Sequence, residues 1–438
     1  MRWIRTAVVI AAALLAGGSL PAALLAGGSL PATTGASPDR IVSPQAAAFT
    51  PIDASGFTLD PAGTAATYQD LVSRLESDSR IHRATLSGVL SAGVVRTGTW
   101  PLCHPTHLSS TYSPSGFCWD HDDDTTDQWV PQGITGSGDA SATGYVDGKR
   151  LLAASWHAPS DAFARVSIAD YTKPSAGVPY HHLLLVEPYL DSTGAPNFRT
   201  VQNVHADGLM WYGNRLFLAT GTRLQVFSLD HIWQTVTSGG NAGDIGLYAD
   251  GAHARWHAWA LPMIAEYRTV WGADGGWVSC NSKTGTKPCL NSISLAPDRT
   301  SFVTAEYFAP TDGSSPAGAR VIRWPLTDSS TGLPETGVVH ASEAYSSPVW
   351  HMQGAATDGT AFYLTGDCPG TPPAGTDPND WVCLHRALPG QPPHVLTQGP
   401  PLTQNLSYWP QTGELWGINE RTNTSTGARV VFKIIPNP

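Results

Sequence analysis

Charged residues are scarce in this chain, and the basic ones do not cluster. Of 438 residues, 14% are charged, with 25 Lys and Arg against 35 Asp and Glu, for a formal net charge of −10. Nucleic-acid binding requires a concentrated basic surface, so we predict no nucleic-acid partner. After the N-terminus no apolar run is long enough to cross a bilayer, so we predict no stable membrane span once a signal is removed.

Motifs of several common enzyme classes are also missing. The sequence has no GxSxG elbow, no HExxH pair and no phosphate-binding glycine loop, which disfavours serine hydrolases, zincins and nucleotide-binding enzymes. It has no CxxC pair, and its cysteine spacings do not match structural zinc, so we assign no residue as a metal ligand. The function must therefore be sought in the polar residues that the architecture brings together.

The first 32 residues are typical of a secretory signal peptide. Arg2 and Arg5 precede the apolar run AVVIAAALLAGG, and the segment AALLAGGSLP occurs twice, at 12–21 and 22–31. We therefore predict a secreted protein. Because an exported chain meets an oxidising compartment, the six cysteines predict three disulfides between sequence neighbours. The expected pairs are Cys103 with Cys118, Cys280 with Cys289, and Cys368 with Cys383.

A repeated template indicates the architecture. The stretch HADGLMWYGNRLFLATG (205–221) is echoed by HMQGAATDGTAFYLTG (351–366), with a histidine, two glycines and an apolar triplet in register. Further copies are WVPQGITG (129–136), ISLAPDRTSFVTAEY (293–307) and LSYWPQTGELWGINE (406–420). Each copy is followed by a third short strand, and glycine (44) and proline (35) are abundant, as in turn-rich all-β proteins.

Five units of strand, turn, strand, loop and strand predict a five-bladed β-propeller. Another blade number or a β-sandwich is the alternative, but a sandwich does not explain the repeated template. The last unit ends without a fourth strand, so we expect the propeller to span 84–438, closed by an N-terminal strand within 84–100. Residues 33–83, rich in Ala, Ser and Pro, are expected to form a tether with a short helix at 68–77.

Three motifs carry a resemblance to a known family. They are W-x-PQG at 129–133, Y-GN-LF-AT followed by VF in the second unit, and GELWGINE at 413–420. Together they resemble a family of secreted actinobacterial β-propeller proteins, over about residues 100–438. The resemblance implies the fold and export, and it implies no particular reaction.

The predicted propeller selects two sets of polar residues at one mouth of its channel. The starts of the first strands contribute Gln132, His205, Asp207, Asn291, His351, Gln353 and Gln404, and the ends of the second strands contribute His157, Glu306, Asp367 and Glu420. Side chains two apart on a strand point the same way, so His205 should face the channel with Asp207, and His351 with Gln353.

Carboxylates that face each other across a narrow channel suit a glycoside hydrolase, which needs one protonated acid and one ionised base or nucleophile. Glu306 and Glu420 are the first candidates for catalysis and Asp207 the third. The expected substrate-binding residues are His205, His351, Gln353, Gln132, Asp367 and His157. The favoured function is cleavage of an extracellular polysaccharide, partly by analogy with other five-bladed propellers.

Other functions fit the same residues. One is a non-catalytic propeller that binds a glycan or the cell wall, and another is a lyase assisted by a metal or a histidine. Histidines beside a carboxylate also suit a divalent cation in the channel, with Ca²⁺ as the candidate cofactor. A purely structural role, in which axial polar groups bond neighbouring blades, is the remaining alternative. We expect a monomer with an extracellular glycan or small-molecule ligand.

Two further features have both a functional and a structural interpretation. The acidic stretch WDHDDDTTDQW (119–129) suits a calcium loop or a solvated loop; it lacks the EF-hand order and glycine, which favours the solvated loop. The tryptophans near the predicted mouth suit either sugar stacking or packing between blades, and the second use is more common. These tryptophans are Trp119, Trp129, Trp156, Trp350 and Trp409.

Overall fold

The computed structural model describes residues 47–93, 96–271, 280, 287–308, 319–328 and 330–437, which all fall within one compact unit, 41–438. The predicted signal peptide (1–32) and the first part of the expected tether lie outside the described residues. Strands dominate the described chain, which is all-β apart from short helices. No helix within it has the length and the apolar character needed to cross a membrane.

Short elements precede the repeated units. They are β1 Thr50–Ile52, β2 Phe57–Asp60, α1 Ala65–Glu76, β3 His82–Ala84, α2 Leu86–Leu90, β4 Arg96–Gly98, β5 Ser115–Cys118 and α3 His121–Thr125. The repeat then begins with the first unit, which contains β6 Val130–Gly136, α4 Ser137–Ala140, β7 Leu151–His157, β8 Ala164–Asp170, β9 Val178–Leu190 and β10 Pro196–Thr200.

The remaining units follow in chain order. The second contains β11 Gly208–Tyr212, β12 Arg215–Thr220, β13 Arg223–Ser228, β14 Ile232–Gln234, β15 Ile245–Tyr248, β16 Gly251–Ala254 and β17 Trp259–Trp271. The third contains β18 Ser292–Leu295, β19 Ser301–Ala305, β20 Arg320–Pro325, β21 Val339–His340 and β22 Glu343–Ser346. The fourth contains β23 Gly354–Thr357, β24 Phe362–Asp367, β25 Val382–Ala387 and β26 His394–Gln398, and the fifth contains β27 Thr403–Trp409, β28 Glu414–Asn419 and β29 Val430–Ile434.

Each unit is built on four antiparallel strands. They are β6-β7-β8-β9, β11-β12-β13-β17, β18-β19-β20-β22, β23-β24-β25-β26 and β27-β28-β29-β5. The outer strands β9 and β17 also pair in parallel, which joins the first two units into one sheet. The first strands of successive units contact one another, and β27 contacts β6, so the arrangement is propeller-like.

The glycines of the repeated template lie where these first strands approach most closely. A Cβ atom on Gly208 would lie 2.5 Å from the backbone nitrogen of Ile293 on β18, and one on Gly354 would lie 2.5 Å from the carbonyl oxygen of Gln404 on β27. No other residue fits at that separation. The glycines are therefore required by packing.

Asn405 fills the centre of the ring. Its fully buried side chain donates to the carbonyl oxygens of Ile134 and Ile293, both at 3.1 Å, and accepts from the nitrogen of Ile293 at 3.2 Å. One amide thus connects the first strands of three units. Because these strands are bridged across the axis, a ligand has room at a mouth of the ring and not at this level.

The strand that completes the fifth unit differs from the one predicted within 84–100. β5 supplies it, with Cys118 opposite Val430 and Ser115 opposite Lys433. Part of the predicted segment, β4, instead pairs with the outer edge of the first unit at β9. Both segments form strands, so their composition did not distinguish them.

The expected tether is part of the fold over its described residues, 47–83. β1 pairs with β22, and β2 pairs with β17. The helix expected at 68–77 is α1, and it buries Leu71, Val72 and Leu75. This segment is therefore an amphipathic helix that packs on the sheet with its apolar face, and it does not act as a flexible linker.

All three predicted disulfides are present. They join Cys103 to Cys118, Cys280 to Cys289, and Cys368 to Cys383. The first joins Cys103, in the segment between β4 and β5, to the last residue of β5, and the third links the residue after β24 to β25. Local crosslinks of this kind fix loops beside strands that already pair.

The acidic stretch 119–129 is only partly solvated: His121, Asp122 and Asp127 are exposed, whereas two of its carboxylates are not. Asp123 and Asp124 are buried. Asp124 accepts from the backbone nitrogens of Ala428 at 2.9 Å and Arg429 at 2.7 Å, while Asp123 accepts from Arg165 and Tyr180. These carboxylates hold α3 against the last strand of the fifth unit. The tryptophans Trp119, Trp156 and Trp409 are buried, which agrees with packing between sheets.

Candidate functional site

A cavity of about 590 Å³ opens beside the starts of the first strands. Residues from four of the five units line it. They include Asp161 from the first unit, His205 and Asp207 from the second, Asn291 and Tyr307 from the third, and Gln353 from the fourth. The chain places them there because each stands just before a first strand or just after a second strand.

Two histidines and a carboxylate meet at one side of this cavity. Oδ1 of Asp161 lies 2.9 Å from Nδ1 of His205 and 3.0 Å from Nδ1 of His157. The two imidazole rings lie 4.4 Å apart, centroid to centroid. One ligand atom from each of the three residues lies within 4.8 Å of the others, so the group is compact enough to hold a cation.

The two histidines differ in electrostatics. Burial and the neighbouring His205 lower the pKa of His157. The pKa of His205 is raised: burial opposes its charge, but the carboxylates of Asp207, Asp161 and Glu420 outweigh it. The pair therefore favours one cationic and one neutral imidazole.

Asp207 is a buried carboxylate with its own hydrogen-bond donors. Asn291 donates to its Oδ1 at 3.1 Å, and the nitrogen of Gly221 lies 3.3 Å from its Oδ2. Loss of water raises its pKa, while His205 and these donors act in the opposite direction. It lines the cavity together with His205, as their spacing predicts.

Glu420 directly follows β28 and is not among the residues that line the cavity, although its charge influences the pKa of His205. Its Oε2 accepts a short hydrogen bond from Nε2 of Gln132, which stands at the start of β6. Burial raises its pKa, against the influence of Gln132, His205 and Arg429. Two candidates from opposite ends of the repeat, Gln132 and Glu420, therefore form one pair.

Glu306 does not line the cavity, although its position in the template predicted that it would. It is 1% exposed and forms a buried ion pair with Arg320 on β20, whose Nη2 lies 2.7 Å from Oε1. The nitrogen of Cys289 donates to the same oxygen at 2.8 Å. Because its oxygens are turned into the sheet by these donors, this carboxylate holds β20 and the disulfide segment together.

His351 and Asp367 form a second histidine–carboxylate pair. Both carboxylate oxygens lie 3.0 Å from Nδ1 of His351, and the histidine ring lies 5.4 Å from that of Tyr307 on the cavity wall. Gln353 lines the cavity, whereas His351 and Asp367 are not among its lining residues. The two histidines of the template are therefore used differently: His205 lines the cavity, and His351 supports its wall.

The backbone around the cavity adopts unusual conformations. Asp161 has φ of +56°, Asn203 of +53° and Ala206 of +59°, and His351 has +48°. Non-glycine residues rarely adopt positive φ, and such conformations cluster at functional sites where surrounding structure enforces them. Asp161 is one of these residues, and Ala206 directly follows His205.

Sequence reasoning missed Asp161 and Tyr307. Asp161 lies in the loop after β7, four residues beyond His157, and no template position marks it. Tyr307 follows Glu306 directly, and the sequence did not show which of the two side chains would line the cavity. The His-x3-Asp spacing at the end of a second strand was the available signal for Asp161.

Comparisons with known proteins do not assign a family. No protein-family model matches the chain, and no curated protein matches it. Among solved structures, it is similar to a luciferin-regenerating enzyme (TM-score 0.31, 8% identity, 76% of this chain and 95% of that chain) and to a gluconolactonase from Xanthomonas campestris (TM-score 0.31, 9% identity, 81% and 99%). It is also similar to PhoX from Pseudomonas fluorescens in complex with vanadate (TM-score 0.25, 11% identity, 57% and 52%). Likenesses this weak assign no activity to the chain.

Proposed function

We propose that this protein is a secreted five-bladed β-propeller that hydrolyses an extracellular polysaccharide at the mouth of its ring. One observation carries the proposal: Asp207, which is buried, and Glu420, which is half-buried, come from different units, both have a raised pKa, and both raise the pKa of His205. Glycosidic cleavage needs two carboxyl groups of this kind, in different protonation states, on either side of the bond.

The hydrogen bonds suggest which carboxyl has which role. Asp207 has donors on both oxygens, and donors to a carboxylate favour the ionised form, so it is the base or nucleophile. Glu420 has a single side-chain donor, Gln132, and is the proton donor to the leaving oxygen. Cationic His205 lies near both and favours the charge that remains after proton transfer.

The residues of the cavity wall are of the types that bind sugars. Tyr307 is 38% exposed and presents an aromatic ring beside the polar groups of Asn291 and Gln353. An aromatic face with amides around it binds the apolar face and the hydroxyl groups of a sugar ring. The filled centre of the ring limits binding to the mouth.

Release of reducing ends from extracellular polysaccharides tests the proposal. We expect Asp207→Asn and Glu420→Gln each to lower kcat at least 100-fold with little change in the far-ultraviolet spectrum. Glu343→Gln, a change at an exposed carboxylate, is the matched control and should retain full activity. Equal activity of all three variants, or no release from any substrate by the native protein, would overturn the assignment.

A metal-assisted hydrolase or lyase is the second candidate, because His157, Asp161 and His205 converge. Two imidazoles and one carboxylate suit a first-row transition metal, whereas Ca²⁺ takes oxygen ligands, so these residues do not fit the Ca²⁺ expected from the sequence. Such a metal would polarise a substrate oxygen. Binding of Zn²⁺ or Mn²⁺ to the native protein, lost in His157→Ala, would favour this candidate over the first.

A further inference from the structure

A second cavity, of about 600 Å³, lies outside the mouth site and shares no lining residue with it. It is bounded by β4, β8, β9 and β14 and by the loop before β17. Three arginines line it, Arg96, Arg165 and Arg255, together with His181 and Trp256. Neither the repeat nor the proposed hydrolysis accounts for this concentration of guanidinium groups.

Arg165 offers a buried donor without a partner. It is 4% exposed, and one of its terminal nitrogens lies 2.6 Å from Oδ1 of Asp123. Its Nε has no hydrogen-bond partner among the described residues. A buried guanidinium N–H is costly to leave unsatisfied, and Arg165 is one of the residues that line the cavity.

The carboxylate opposite Arg165 is already shared. Asp123 also accepts from Tyr180 at 2.7 Å and contacts His182 at 2.9 Å and Arg96 at 3.5 Å. Arg96 also contacts Asp120 at 3.0 Å and Asp122 at 3.5 Å, so Arg96 and Arg165 are both paired with carboxylates. Arg255 adds a third guanidinium group and forms no ion pair within the described part of the chain; this group stands 4.4 Å over the ring of Phe163.

His181 supplies another polar atom to the same cavity. It is 7% exposed, and its Nε2 has no partner among the described residues. Burial lowers its pKa, so the ring is neutral near pH 7 and bears one N–H. His181 and Arg165, both nearly buried and both lining this cavity, thus each have one nitrogen without a partner among the described residues.

Trp256 forms a flat apolar wall at the rim. It is 66% exposed, and its φ of +61° follows the +47° of Arg255. One edge of the indole packs closely on Gly243, where a Cβ atom would lie 2.4 Å from Cζ2. An indole fixed on one side and open on the other is a platform for stacking a ring.

We propose that this cavity binds an acidic saccharide, with the carboxylate of a uronic acid residue between the arginines and the sugar ring against Trp256. Arginine matches planar carboxylates through paired N–H donors. The exposed indole of Trp256 favours a ligand with a ring that can stack on it, and a small inorganic anion has no such ring. Binding here needs no cleavage at the mouth and stands independently of the proposed hydrolysis.

Titration calorimetry with matched trisaccharides tests this. We expect trigalacturonate to bind native protein, with affinity falling as salt increases, and a neutral trisaccharide of the same length to bind at least tenfold more weakly. Acetate and sulfate should not compete at equal concentration. Equal binding of neutral and acidic sugars, effective competition by either small anion, or no binding of trigalacturonate would overturn the proposal.

Variants locate the site. Arg255→Gln and Trp256→Ala should each weaken trigalacturonate binding at least tenfold. Tyr145→Ala, which removes another exposed aromatic ring, should leave it unchanged. Asp207→Asn, at the mouth, should also leave it unchanged, so failure of the mouth site and of this site are distinguishable. Unaltered binding in both cavity variants would place the saccharide elsewhere and refute the assignment.

Discussion

Asp161 and His205 are joined by a 2.9 Å contact between Oδ1 and Nδ1, although they belong to different units of the repeat. Asp161 reaches its position from a loop with a left-handed backbone, and the same oxygen also contacts His157. This contact between adjacent units fixes the imidazole that stands among the cavity's carboxylates.

Replacing Asp161 with Asn should lower the pKa of His205. The native pKa is raised because Asp207, Asp161 and Glu420 together outweigh burial, and the variant removes one of these charges. A pH titration of the His205 ring protons by NMR measures the change. Asp191→Asn, at a carboxylate held within its own exposed turn, is the control and should leave the titration as it was. A pKa that stays the same in Asp161→Asn would show that Asp161 contributes no charge effect.

The repeat located the cavity from sequence, but it did not resolve the direction of individual side chains. His205, Asp207 and Gln353 line the cavity because their template positions fix which face of the first strand they occupy. At the end of β19 the same logic selected Glu306, whereas its neighbour Tyr307 turns outward. The ion pair that turns Glu306 inward comes from Arg320, on the next strand, and pairing of that kind is set by tertiary structure.

The strand that completes the fifth unit could not be identified from the sequence either. The segments 84–100 and 115–118 both form strands, and the choice between them depends on where the chain runs before β5. The disulfide pairs could be predicted because cysteines such as Cys103 and Cys118 are close in sequence and the predicted signal peptide indicated an oxidising environment. Local pairing was therefore predictable, whereas pairing across the whole chain was not.

Replacing Glu306 with Gln should destabilise the protein by about 3–5 kcal/mol, because a buried ion pair that loses one charge leaves the other uncompensated. Its partner Arg320 is 2% exposed. Denaturant unfolding measures the loss. The double variant Glu306→Leu with Arg320→Met should recover much of the stability. A stable Glu306→Gln protein that has lost activity would instead return Glu306 to a catalytic role.

Replacing Gly208 with Ala should destabilise the ring by about 3 kcal/mol or more, as expected for overpacking against backbone. The added Cβ would lie 2.5 Å from the nitrogen of Ile293, where no side chain can move aside. Thermal unfolding measures the effect. Gly240→Ala, where a Cβ meets nothing within 4 Å, is the matched control and should change stability little. Similar melting temperatures for both variants would contradict close packing of the first strands.

Replacing Asp139 with Asn should stabilise the protein at neutral and higher pH. Burial raises the pKa of Asp139 to about 6, although Thr135 and Ser407 both donate to its Oδ2, at 2.6 and 2.7 Å. Since the folded state holds this proton more tightly than the unfolded chain does, the native protein loses stability as pH rises from about 4 to 6.

The neutral Asn removes this dependence. We expect a gain of about 3 kcal/mol at pH 8, which is the cost of ionising a group whose pKa is raised from 3.8 to about 6, and almost none at pH 4, where the native carboxyl is protonated in the folded state. Urea unfolding at both pH values measures the difference, with Asp127→Asn at an exposed position as the control. A variant less stable than the native protein at pH 8 would show that Asp139 is ionised and stabilising, with the hydroxyl donors outweighing its burial.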